Sequence, residues 1–205
     1  MSRNVPQPKS SDSELFFIAL LPPAEIQAEI TEIKQYFAQN YNSSHALKSP
    51  PHITLYPPFK WVTENLPTLE QTLAEFTASY APVGIILDGF GKFSTRVIFV
   101  EPLKTTELIA VQANLITYLE SYLGLVDENS KTKTFNPHMT VAFKDLKRQA
   151  FKAAWPEFRD RQFQVNFTAD CLTLLIHNGQ RWNIHRKFPF MASPIVKLKN
   201  NNNLT

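Results

Sequence analysis

Apolar residues occur along this chain at two spacings, in short unbroken runs and at every third or fourth position of longer segments. Their succession predicts strands interleaved with helices. Residues 15–20, Leu-Phe-Phe-Ile-Ala-Leu, form an unbroken run of strand length. Pro22-Pro23 then opens a helix on which Ile26, Ile30, Ile33 and Phe37 recur at helical spacing. His52 to Tyr56 alternates like a strand, residues 69–80 read as a helix, and residues 83–90 with 95–100 read as a hairpin around Gly89 and Gly91. The second half repeats the theme. Residues 105–123 place Leu108, Val111, Leu115 and Leu119 on one side of a helix, 139–143 form a strand and 146–155 a short helix. Strands over 163–176, broken near Ala169, and over 181–188 flank His177-Asn178-Gly179-Gln180, where Asn-Gly is a strong hairpin signal. Local strand pairs with interspersed helices imply an α+β fold rich in antiparallel sheet. The polar ends, residues 1–13 and 191–205, read as disordered tails around one folded body at 14–190.

Composition narrows the function classes. A chain of 205 residues with 43% hydrophobic content can bury a full core. The balance of 21 Lys+Arg against 18 Asp+Glu gives a weakly positive field, not that of a protein coating duplex nucleic acid, so any basic groove is local. The apolar run at 15–21 is too short to span a membrane and follows acidic Asp12 and Glu14; it reads as a strand, no membrane partner is implied, and the expected address is the cytoplasm. Cys171, the single cysteine, excludes an internal disulfide and reads as a buried core thiol. Without a glycine-rich phosphate loop the chain fits neither a P-loop hydrolase nor a dinucleotide-binding dehydrogenase, and no cofactor is implied. Nothing resembles a coiled coil, and a monomer is expected.

The candidate chemistry lies in an internal echo. Pro51-His52-Ile53-Thr54-Leu55 is matched by Pro137-His138-Met139-Thr140-Val141, although the chain holds only five histidines. Side chains alternate faces along a strand, so His52 and Thr54 project together while Ile53 and Leu55 point to the core, and His138 and Thr140 do the same. Two halves packed about an approximate two-fold axis would bring two imidazoles and two hydroxyls to a shared cleft. One neutral imidazole can remove a proton from water while a protonated one gives a proton to the leaving oxygen. The threonine hydroxyls can hold the non-bridging phosphate oxygens. A metal centre is the rival reading of paired histidines, but each strand supplies one histidine with a threonine and no carboxylate at ligand spacing, so no metal is expected. Tyr56 shares the face of His52 and Thr54 and is a candidate to line the pocket; Phe143 closes the second motif as a candidate stacking surface. Among the basic residues Lys48, Lys60, Arg96, Lys144 and Arg181, Lys144 is the candidate phosphate contact because it directly follows the second strand. His45, His177 and His185 have no partner motif and receive no role. The segment from Tyr56 to Trp61, with Pro57-Pro58, is expected to be a specialised loop bordering the cleft.

The two His-x-Thr motifs, His52-Ile53-Thr54-Leu55 and His138-Met139-Thr140-Val141, resemble the two-histidine (2H) phosphoesterase superfamily, in particular its bacterial 2′-5′ RNA ligase-like and cyclic phosphodiesterase branch. Gly89-Phe90-Gly91-Lys92-Phe93 before Arg96-Val97-Ile98-Phe99-Val100, and the closing Ile184-His185-Arg186-Lys187-Phe188, are similar to that branch too. The resemblance implies a bilobal, duplicated α+β fold whose antiparallel-rich sheets line a central cleft, with helices outside and an internal pseudo-two-fold axis. It implies metal-independent chemistry at 2′,3′-cyclic phosphates of RNA ends or nucleosides, or at 2′-5′ linkages, run as hydrolysis or as reversible ligation. It also points to His138 as the base that activates water and His52 as the acid. Two other classes stay open: a non-catalytic binder of nucleotides or RNA ends, and a phosphodiesterase of another small metabolite.

Overall fold

The first apolar run becomes β1 (Ser13–Leu20), followed by α1 (Ala24–Tyr41), β2 (Ile53–Val62), α2 (Leu66–Ala78), β3 (Val83–Phe93), β4 (Val97–Pro102) and α3 (Thr106–Leu123). After these come β5 (Met139–Ala142), α4 (Arg148–Arg159), β6 (Gln164–Ala169), β7 (Cys171–His177) and β8 (Trp182–Pro189). The computed structural model describes residues 12–128 and 132–192. Most of the two segments expected as tails lies outside those residues. β1 begins inside the first of them, because Thr63 donates both its backbone N–H and its hydroxyl to the Asp12 carbonyl, at 2.9 and 3.0 Å. At the other end the N–H groups of Met191 and Ala192 donate to the carbonyls of Thr77 and Tyr80.

The strands form two four-stranded antiparallel sheets, in the orders β2-β1-β7-β8 and β5-β4-β3-β6. The α+β architecture read from the sequence is therefore present, and the two orders correspond as a pseudo-two-fold pair. The halves are not, however, consecutive stretches of chain. The first sheet is completed by the C-terminal hairpin, and the chain changes sheet at Asp170, which separates β6 from β7. The helices brace across: α1, which joins two strands of the first sheet, packs against β5 and α4, while α3, which joins two strands of the second, packs against β2 and β3. Ile30, Ile33 and Phe37 of α1 and Leu108, Val111, Leu115 and Leu119 of α3 are buried in one continuous core.

Three local expectations change. Gly89 and Gly91 do not make the β3-β4 turn, which falls at residues 94–96 with Ser94 at φ 52°. Gly89, at φ 69°, sits instead at a register shift between Leu87 and Phe90, a bulge that suits glycine. Gly91 is needed for space, since a Cβ there would lie 2.3 Å from the Phe99 ring. The segment from Tyr56 to Trp61 is not a loop: β2 runs through Pro57 and Pro58 to Val62, which is tolerated because β2 is an edge strand and need not donate on its open side. Cys171 is only partly buried at the start of β7, and burial together with neighbouring Asp170 pushes its thiol up to about 11.

Candidate functional site

The two histidines immediately precede the strands β2 and β5, which are edge strands at corresponding places in the two sheets. Each ring is fixed in the same way. His52 Nδ1 lies 2.7 Å from the Pro50 carbonyl oxygen, and His138 Nδ1 lies 2.8 Å from that of Asn136. A carbonyl can only accept, so Nδ1 carries the proton in both rings, and Nε2 is left as the lone-pair nitrogen of the neutral imidazole. Apolar walls hold the rings from the side. Phe17 of β1 packs on His52 at a centroid distance of 4.8 Å and is itself met edge-on by Trp182 at 4.5 Å. Phe93 and Phe99 flank His138 at 4.9 and 5.6 Å.

The register explains why one motif residue leaves the site. Leu20 pairs with Ile53 and Ala19 with Thr54, but Ile18 pairs with Tyr56, so one extra residue is accommodated at Leu55. The second motif carries the same irregularity, with Val100 opposite Met139, Phe99 opposite Thr140 and Ile98 opposite Ala142. Each bulge turns the residue after it inward, so both Leu55 and Tyr56, and both Val141 and Ala142, are buried. Tyr56 is 2% exposed, packs edge-on to Phe59 and does not line the cleft, contrary to the alternation rule that placed it beside His52 and Thr54. The Leu55 carbonyl accepts from Gln112 Nε2 of α3 at 3.5 Å.

His52, Thr54, His138, Thr140, Phe143 and Lys144 all line one cavity of about 700 Å³ between the sheets. Among the described residues neither threonine hydroxyl has a protein hydrogen-bond partner, so both are free to donate to a ligand. Phe143 is less open for stacking than expected, because His45 meets it edge-on at 5.0 Å and the Lys144 ammonium lies 5.5 Å from its centroid. Lys144 reaches that place through a tight turn: its φ is 57° and the Asp145 N–H donates to the Phe143 carbonyl at 2.7 Å. Of the other basic residues named from the sequence, Lys48 lines the cavity, whereas Lys60, Arg96 and Arg181 do not.

Sequence reasoning missed several contributors. His45 and His177 line the cavity, while His185 lies elsewhere and bonds Glu70 at 2.7 Å. Phe17 and Trp182 reach the site from the middle of β1 and the start of β8, and only the sheet order brings them together. Asp145 accepts from Ser43 Oγ, Ser44 N and His45 N at 2.8, 2.9 and 2.8 Å, which ties the lead-in to the first motif to the loop after the second. Lys34, buried on α1, donates Nζ to the Ser49 carbonyl at 3.0 Å, next to the Pro50 carbonyl that orients His52. A lysine among apolar helix positions was the one available signal for it.

Electrostatics favour neutral imidazoles in the free protein. Burial pushes His52 down to about 4, with the charges of Lys34 and His138 adding to the effect and the Pro50 carbonyl opposing it. His138 is lowered by burial against the pull of the Asn136 carbonyl. His45 is lowered by burial and by Lys144 and Lys48. An anion between the two histidines acts in the opposite sense, favouring a proton on one of them. Among the described residues no three His, Cys, Asp or Glu side chains converge as a metal-binding group, and no helix is long and apolar enough to cross a membrane.

The likeness to known proteins follows the fold and the site. A protein of Bacillus cytotoxicus provisionally named a phosphoesterase is 27% identical over 174 residues, covering 83% of this chain and 94% of its own length. A similarly named protein of Geobacillus kaustophilus is 26% identical over 177 residues, with 83% and 93% covered. Among solved structures, a protein of Thermus thermophilus and E. coli LigT complexed with 3′-AMP each reach a TM-score of 0.63 over 88% of this chain and 100% of theirs, at 19% and 16% identity, so they share its fold. The family model described as the 2′-5′ RNA ligase superfamily matches residues 22–181, which takes in both His-x-Thr motifs. With one histidine from each pseudo-symmetric sheet facing a common cleft, the chain belongs to the 2′-5′ RNA ligase superfamily, among the two-histidine phosphoesterases.

Proposed function

We propose that the protein opens 2′,3′-cyclic phosphates at RNA ends or on nucleosides without a metal ion, and that the same site can join ends through a 2′-5′ linkage. The observation that carries this reading is the duplicated imidazole geometry: two rings, each with Nδ1 tied to a carbonyl two residues back and Nε2 left for the cleft. In hydrolysis, Nε2 of one histidine takes a proton from water as the water oxygen bonds to phosphorus. The bond from phosphorus to one ribose oxygen breaks, and the Nε2–H of the other histidine protonates that oxygen. A 2′- or 3′-phosphomonoester results, according to which oxygen faces the acid. Thr54 and Thr140 donate to the non-bridging oxygens, where charge builds as phosphorus gains its fifth bond. A ribose 5′-hydroxyl in place of water gives ligation by the same proton movements.

The test is turnover of a nucleoside 2′,3′-cyclic phosphate in the presence of chelator, followed by chromatography of the product. His52→Ala and His138→Ala are each expected to lower kcat at least about a hundredfold, the usual worth of a positioned acid or base. The product isomer then assigns the ribose oxygen that leaves. Activity that survives either substitution, or that needs a divalent ion, would remove the two-histidine mechanism. Absence of turnover on this substrate and on a 2′-5′-linked oligonucleotide would leave nucleotide binding or another small phosphodiester as the function.

A further inference from the structure

Beside the catalytic cleft lies a second cavity of about 300 Å³ that shares Lys48, Ser49 and Trp182 with it. Lys34, Lys48 and Arg181 line it, and no carboxylate does. Lys34 is the unusual member. It is only 1% exposed on the core-facing side of α1, its ammonium has one protein acceptor, the Ser49 carbonyl, and no ion pair holds it among the described residues. A buried ammonium without a counter-charge is costly, and burial accordingly pushes Lys34 down to about 7. Lys48 and Arg181, both exposed, add two accessible cations at the same opening, so the field of the cavity is positive and uncompensated.

We propose that this cavity receives a phosphate of the substrate strand outside the reacting link, so that the protein prefers an oligonucleotide end to a free mononucleotide. The proposal rests on the cyclic-phosphate reading of the main cleft and names its substrate class more narrowly. The Ser49 to Pro51 segment lines the second cavity and also delivers the carbonyl that orients His52. A strand that places its terminal cyclic phosphate between the histidines passes Lys48 and Trp182 on its way to Lys34 and Arg181. The anion gives Lys34 the counter-charge that the protein lacks, and Arg181, exposed in the turn before β8, can meet it with a bidentate contact.

The experiment compares kcat/KM for adenosine 2′,3′-cyclic phosphate with that for a trinucleotide ending in the same group, using the full chain, Arg181→Gln and Lys34→Met. The parent is expected to prefer the trinucleotide by roughly tenfold, as for one charge-assisted contact. Arg181→Gln should abolish most of that preference, change the mononucleotide value less than about twofold, and reduce the slope of log kcat/KM against log salt by about 0.7, as for one lost phosphate contact on a single strand. Lys34 is buried and its replacement can disturb the fold, so the exposed Arg181 carries the decision. Equal values for the two substrates, or a preference untouched by Arg181→Gln, would overturn the proposal while leaving the cyclic-phosphate activity standing. If neither substrate turns over, the activity reading fails, and the affinity of a fluorescent trinucleotide 3′-phosphate decides the cavity separately: weaker binding to Arg181→Gln supports it, and equal binding overturns it.

Discussion

At the scale of single residues, burial inside an apolar wall keeps both imidazoles neutral and in one tautomer in the free protein. That arrangement ties stability to pH with a definite sign. The folded-state value of His52 is about 4, below the ordinary 6.5, and His138 shifts the same way. Between those values the unfolded chain binds protons that the folded chain refuses, so the histidines' contribution to stability is full above about pH 6.5 and is lost as the pH drops toward 4. Lys34 acts in a higher window, between about 7 and its ordinary 10.5, and adds no slope below it. The expected outcome is a thermal midpoint that declines from pH 6.5 to 5, where most carboxylates are still ionised, and declines less in the His52→Asn, His138→Asn double variant. An identical decline in the double variant would place the acid sensitivity elsewhere. The histidines were legible in the sequence because a five-residue pattern repeats. Their depressed values were not, because these come from burial under Phe17, Phe93 and Phe99, which approach from other strands.

At the scale of elements, the duplicated bulge decides which motif residues reach the cleft. Strict alternation predicts His52, Thr54 and Tyr56 on one face; the extra residue at Leu55 sends Tyr56 into the core, and Val141 does the same for Ala142. A bulge is a property of the pairing between two strands, so it is invisible in either strand alone, whereas the apolar runs of β1 and β7 and the Asn-Gly hairpin are local and were readable. Gly91 shows the same limit. It reads as a turn residue, but its role is to admit the Phe99 ring that packs against His138. Gly91→Ala would place a methyl group 2.3 Å from that ring, and Phe99 is nearly buried, so the ring must move at the expense of its packing. Denaturant unfolding is expected to show a loss of about 1–3 kcal/mol, the usual cost of overpacking. Turnover should fall as well, because the ring that shifts is one wall of His138. Full activity in a destabilised Gly91→Ala protein would show that the wall does not position the imidazole.

At the scale of the whole molecule, the proposed catalysis by one histidine from each sheet requires that the sheets hold a fixed separation, and the chain achieves this by interleaving. The C-terminal β7-β8 hairpin completes the sheet begun at the N-terminus, and α1 and α3 each pack across onto the other half. No reading of periodicity distinguishes this from two consecutive lobes, since sheet membership is set by contacts between distant segments. Across the cleft itself the tie is Asp145, whose carboxyl is held below its ordinary value by the Ser43 hydroxyl and the N–H groups of Ser44 and His45, against the opposing effect of burial. Asp145→Ala removes these bonds at a partly exposed position where water can replace some of them, so the stability loss is expected to be modest, about 1 kcal/mol. The larger effect should fall on geometry. His45 would no longer be fixed against Phe143, and the first motif would lose its tether to the second. KM should therefore rise and kcat fall together, with Asp145→Asn intermediate because it keeps one acceptor oxygen. Steady-state kinetics on the cyclic phosphate, alongside melting curves, separate the alternatives: a kinetic defect out of proportion to the stability change marks Asp145 as the residue that sets the distance between the two histidines, and a change in stability alone reduces it to an ordinary surface cap.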